Sequence, residues 1–310
     1  MERDEKPRPD FPDIDDKSVE RGYRACRKQA KQHFQPLIWT ISNLPAAEHG
    51  AVCALLMHLH RGLELANSGS SEAKNQDQVA EFRDDLGDAI GGKCVSPELT
   101  ALSDAHQRFN LPRQFVFEFI EGIDWMMRFP PPDTWEDLLS VAARIGGSIM
   151  ADICHVLGLD SAEHTQHAIR LGQALTVTWW LNTVRRDIRR SQQRLAIDDF
   201  EQSEIDPTEL IGRPMGQQLA WFARLYGHRV EVLLRESAPL LQHLDFDGVR
   251  VAKALASICF CAANNIRLHP EMLLDDDGIV TPNDMRRLCR KHFLGLEPDL
   301  PFSASPKPQH

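Results

Sequence analysis

The stretch from Thr178 to Arg190, TWWLNTVRRDIRR, sets four arginines around one aspartate and two adjacent tryptophans one turn earlier. A guanidinium presents a planar fork of N–H donors that matches phosphate oxygens two at a time, so such a cluster suits a phosphorylated ligand. At about 100° per residue of a helix, Thr176, Trp179, Trp180, Thr183, Asp187 and Arg190 share one stripe, with Arg186 at its edge. A second stripe holds His60, Leu63, Glu64 and Asn67, an imidazole, a carboxylate and an amide on one face. Arg24, Arg27, Lys28 and Lys31 form a basic face further upstream. Two helices whose polar ends point inward would enclose a cavity, apolar at depth and charged at its mouth. The plainer reading is that polar residues end these helices. Arg185, Arg186, Arg189 and Arg190 would then pair with Asp198, Asp199 and Glu201 in solvent, for little energy.

Other candidate motifs point nowhere. Gly87 to Lys93 has the spacing of a phosphate loop, but Cys94 stands where a metal-binding hydroxyl belongs and no strand precedes it. Asp84, Asp85 and Asp88 read as the solvated face of a polar helix. The 13 histidines include no pair at metal-binding helical spacing. Seven cysteines lie scattered with no Cys-x-x-Cys pair, which favours buried thiols in a reducing compartment. A net charge of −10 argues against a broad nucleic-acid surface.

The elements that must position these residues repeat almost throughout at helical spacing. Helices are expected at 18–36, 46–67, 75–90, 97–108, 112–128, 134–157, 161–194, 207–236, 238–244, 247–268 and 281–293. Ser96-Pro97 and Thr281-Pro282 are start signals, and Thr134 with Glu136 is another. The expected architecture is all-α, a single-domain helical bundle over 18–296. An acidic, proline-rich tail at 1–17 and a proline-rich, polar one at 297–310 flank it, where disorder is expected. The first tail has no apolar segment of the kind a secretory signal carries. No uncharged apolar run approaches the roughly 20 residues of a membrane span. Val251–Ala263 is short and interrupted by Lys253, so the expected location is cytoplasmic, at most peripheral to a membrane.

Taken in order, these segments resemble the squalene/phytoene synthase family, the head-to-head trans-prenyl diphosphate synthases, over residues 20–295. Tyr23 to Cys26 with Lys31 to Phe34 resembles the family's opening helix. Asn43-Leu44-Pro45, Phe109 to Pro112, Phe119 to Gly122, Thr134 to Leu138, the glycine-rich Arg144 to Ile149 and Leu171 to Leu175 follow at matching intervals. The resemblance implies the isoprenoid synthase fold with a central cavity, and prenyl diphosphates of the farnesyl or geranylgeranyl class, or a product of their coupling, as ligands. It also implies Mg2+ held between two aspartate-rich helix faces, where it would neutralise a departing diphosphate.

The two acidic motifs are depleted. The first falls on His60, Leu63, Glu64 and Asn67 and keeps one carboxylate. In the second, Thr183 takes the first position and Asp187 keeps the other. Trp179 and Asn182 fill an asparagine and an arginine position, Val141 a tyrosine position and Met126 an acidic one. By this resemblance Glu64, Asp187, Thr183, Asn67 and His60 are the catalytic candidates, with Glu64, Asn67 and Asp187 as ligands for any Mg2+. Arg186, Arg190, Lys31, Arg27, Trp179, Trp180, Thr176 and Val141 would bind substrate, the arginines and lysine holding diphosphate. Two readings follow: prenyl-diphosphate chemistry with altered metal dependence, or a catalytically inactive scaffold for a lipid or protein partner. Further expected partners are a second copy of the chain or an active family member.

Overall fold

A computed structural model describes residues 16–67, 72–93, 96–128, 131–159, 161–212, 216–275 and 278–293. Nearly all of both expected tails lies outside these residues, as do Ser68–Ser71, Cys94 and Phe129-Pro130. Every described element is helical: α1 (Asp16–His33), α2 (Gln35–Ile41), α3 (Ala46–Ala66), α4 (Glu72–Ile90), α5 (Pro97–Arg108), α6 (Arg113–Arg128), α7 (Trp135–Ala142), α8 (Ser148–Val156), α9 (Ala162–Arg189), α10 (Ile197–Gln202), α11 (Glu209–Gly212), α12 (Gln217–Ser237), α13 (Phe246–Leu268) and α14 (Pro282–Phe293). A π-helical turn, Ala143–Gly147, joins α7 to α8, and short 3-10 segments follow α12 and α13.

The start signals work as their chemistry requires. Ser96 Oγ accepts from Leu99 N at 3.2 Å, Thr281 Oγ1 from Asp284 N at 3.2 Å, and Thr134 exchanges hydrogen bonds with Asp137 as a capping box. Several elements differ from the sequence expectation: α10 falls in no expected helix, the π turn interrupts the helix expected at 134–157, and three further boundaries shift. Pro36 removes a backbone donor, and the first helix breaks at Phe34 into α1 and α2. The expected helix 207–236 splits into α11 and α12. The expected helix 161–194 stops at Arg189, because Ser191 adopts a left-handed φ of 57° and Gln192 N returns to Asp187 O at 2.8 Å.

One continuous core runs from Val19 to Val280. α3 packs among α1, α5, α6 and α8, while α9 packs among the π turn, α8, α12 and α13, so α8 joins the two groups. The π turn approaches α9 backbone to backbone: a Cβ added to Gly172 would sit 2.3 Å from Gly146 O, and one on Gly146 2.0 Å from Thr176 Oγ1. The run Trp135–Val156 is long and apolar enough to cross a membrane by length and composition, but it is 67% buried inside the fold.

Burial raises the thiol pKa of all six described cysteines, to about 12 for Cys26, Cys53, Cys154 and Cys259 and about 11 for Cys289. Burial also holds the Asp152 carboxyl on α8 well above its ordinary value of 3.8, with Glu118 adding to the shift. Between those two values, rising pH strips a proton from the unfolded chain while the folded chain keeps it, so stability falls. Asp152→Asn is expected to remove this slope. Its urea midpoint should match the parent near about pH 4 and exceed it near about pH 8, and a parallel pair of curves would refute the assignment.

Candidate functional site

Between α3, α8, α9, α13 and α14 lies an apolar cavity of about 340 Å³, within the roughly 300–1,000 Å³ range of small-molecule pockets. Leu56, Leu59 and Leu63 of α3 form one wall, Ile145, Gly146, Ile149 and Ile153 another, and Leu175, Thr176, Trp179 and Asn182 of α9 a third. Val280 and Met285 also line it. Asn182 seats the Val280 segment: its Oδ1 accepts from Ile279 N at 2.6 Å and Val280 N at 3.3 Å. Gly278, at φ 86°, passes so close to the Asn182 amide that a Cβ would clash at 2.8 Å.

One turn beyond Trp179 and Asn182 the helix becomes polar. Asp187 is buried, and its Oδ2 accepts from Thr183 Oγ1 at 2.6 Å. Arg194, which the sequence reading passed over, folds back onto it. The Arg194 Nε lies 3.4 Å from Asp187 Oδ2 with both side chains 5% exposed or less. Its Nη2 donates to Asn67 Oδ1 at 2.9 Å and Gln192 Oε1 at 3.2 Å. The guanidinium carbon stands 5.5 Å from the Trp179 ring centre, and Met126 Sδ lies 3.5 Å from Nη1. Burial pushes the Asp187 carboxyl up and the Arg194 guanidinium down, each shift opposed by the other's charge. Arg186, half-exposed, reaches Asp187 Oδ1 at 3.6 Å, and Arg190 stands exposed nearby.

Asn67, Thr183, Asp187, Trp179 and Arg186 therefore meet at one place. His60 and Glu64 do not join them. The Glu64 carboxylate pairs with His60 Nε2 at 3.3 Å, and His60 stacks on His33 with ring centres 3.8 Å apart. These residues line a separate groove of about 310 Å³ with His58, Arg61, Phe82 and Glu98. The helical wheel explains the split: Asn67 falls almost in line with Leu56 and Leu63, whereas Glu64 is rotated by about 100° from Leu63. Thr176 and Trp179 line the cavity, but Trp180 is wholly buried and Val141 nearly so, and neither lines it. Arg27 donates to its own helix at Tyr23 O and Lys31 is exposed; neither borders the cavity.

Arg185 holds the fold, donating to Leu274 O at 2.6 Å and Ile211 O at 3.2 Å. Asp199 is not a surface partner for the α9 arginines. It is fully buried, accepts from Tyr226 Oη at 2.7 Å, and pairs with Arg229.

The squalene/phytoene synthase family model matches residues 30–283. The chain belongs to the squalene/phytoene synthase family. Among its relatives, it is 23% identical to a phytoene synthase of Mycobacterium bovis over 264 residues, covering 83% of this chain and 85% of that one. It is 21% identical to a 15-cis-phytoene synthase of Synechococcus elongatus over 243 residues, covering 74% and 79%. A dehydrosqualene synthase solved with ligand shares the fold at a TM-score of 0.80 and 21% identity, over 90% of this chain and 98% of that one. A squalene synthase from Alicyclobacillus acidocaldarius shares it at 0.73 and 17% identity, over 81% and 95%. The all-α isoprenoid synthase fold and a place in isoprenoid biosynthesis follow from this family membership.

The family generally uses divalent metals, and the donor set at the Asp187 cluster does not fit one. Mg2+ needs near-octahedral oxygen ligation, from carboxylates above all. Among the described residues no three His, Cys, Asp or Glu side chains gather as a metal site. Asn67 Oδ1, at the C-cap of α3, and Asp187 Oδ2 of α9 are both turned to Arg194.

Proposed function

We propose that the chain binds a prenyl diphosphate and ionises or couples it, with the isoprenoid tail in the apolar cavity and the diphosphate at the arginine-bearing end of α9. The observation that carries this reading is the position of Trp179. Its side chain forms part of the cavity wall while its ring stands beside the Arg194 guanidinium, so apolar lining passes directly into positive charge. Around that end stand Arg186, Arg190 and Arg194 against the single carboxylate of Asp187.

The chain's own groups suit the chemistry. The buried Arg194 guanidinium, with the more exposed Arg186 and Arg190, would take up charge as the diphosphate leaves. The Trp179 π face would lower the energy of an allylic cation forming beside it. The leucines and isoleucines of the wall would keep water from that cation.

The test is incubation with farnesyl and geranylgeranyl diphosphate, with and without Mg2+, followed by assay of released inorganic diphosphate and extraction of products. Turnover of at least one substrate is expected, and Trp179→Ala should lower kcat/KM about ten-fold or more. A protein that neither binds nor consumes either substrate would overturn the reading.

A further inference from the structure

We infer that Arg194 is the resident cation of this site, standing between α3 and α9 in the place of a divalent ion, so that the diphosphate is received without metal. This rests on the function proposed above and deepens it.

Three observations carry it. First, the Arg194 guanidinium is buried and bridges Asn67, at the C-cap of α3, and Asp187 of α9. A metal ion there would have to displace a planar cation already hydrogen-bonded to Asn67 Oδ1 and ion-paired with Asp187 Oδ2. Second, the position is built. The turn at Ser191 reverses the chain, and Met126 and Trp179 pack against the guanidinium on faces that cannot ligate a hard cation. Third, the site is not self-satisfied. Arg194 Nε is buried and makes no hydrogen bond, only the 3.4 Å ion pair to Asp187 Oδ2, so this donor can shift to an anionic oxygen, and Asp187 Oδ1 keeps Arg186 at 3.6 Å. With Arg186 and Arg190 alongside, the cluster holds three positive groups against one negative one, a balance that favours an anion and disfavours Mg2+.

The probes are Mn2+, read by electron paramagnetic resonance, and farnesyl thiodiphosphate, an inert analogue read by calorimetry. The full chain is expected to leave the Mn2+ spectrum as it is in the same solution without protein, whether or not the analogue is present, and to bind the analogue equally in Mg2+ and in EDTA. Arg194→Gln keeps a donor for Asn67 but loses the charge, and should weaken binding in EDTA about ten-fold or more. Its fold is checked by circular dichroism. If it does not fold, Arg194→Lys takes its place, because a point charge without the planar fork should also bind more weakly. Analogue binding that requires metal, or a bound Mn2+ signal lost in Asp187→Asn, would overturn the inference while leaving the proposed function standing. No binding in either medium would overturn both.

Discussion

Arg229→Met is expected to lower the free energy of unfolding by about 3–5 kcal/mol, the cost of leaving a buried charge without its partner. Asp199 is 1% exposed, and its carboxylate is shared between Arg229 and the Tyr226 hydroxyl. The guanidinium lies 4.5 Å from the Trp135 ring centre, so the substitution also removes a cation–π contact. Tyr226 Oη in turn accepts from Ala196 N at 3.3 Å, which ties this network to the strand of chain just after Arg194. Chemical denaturation measures the loss, and a change under about 1 kcal/mol would mean the pair is solvated. Asp199→Leu combined with Arg229→Met should recover part of the loss, because neither charge is then stranded.

Gly172→Ala is expected to cost about 3 kcal/mol or more, at the upper end for an inserted methyl, since nothing near it can move alone. The new Cβ would meet Gly146 O at 2.3 Å, Gly146 C at 2.5 Å and Gly147 Cα at 2.6 Å, all backbone of the π turn. Relief requires the turn and α9 to separate. Gly146 and Thr176, on either side of that seam, both line the cavity, so its shape changes with the fold's stability. The variant should therefore lose affinity for farnesyl thiodiphosphate as well as denaturation midpoint. Unchanged affinity in a destabilised protein would show that the seam is remote from the ligand.

Helical periodicity made the bundle legible from sequence, and cap chemistry located several helix starts to the residue. The site was only partly legible. Thr183 and Asp187 are one turn apart on a single helix, so their hydrogen bond follows from spacing alone. The fate of Glu64 did not, because a polar stripe 100° wide spans two neighbouring environments and only packing decides between them. The adjacent tryptophans posed the same problem: Trp179 borders the cavity and Trp180 is enclosed by core.

Arg194 was missed for a different reason. Continued as helix, it would lie seven residues and about 10 Å along the axis from Asp187. The left-handed turn at Ser191 folds it back instead. Serine is a weak signal for that conformation, which glycine usually marks. The clue available was arginine among apolar residues, Arg194-Leu195-Ala196, a cation entering the interior.

The place of Val280 and Met285 in the cavity lining has a bearing on how the protein is made. During synthesis the bundle's early helices emerge long before the stretch that hangs on Asn182. A nascent chain ending ahead of Gly278 lacks Val280 and Met285, two of the side chains that line its greasy chamber. Binding competence should thus arrive late and abruptly on the ribosome, after most native secondary structure is in place.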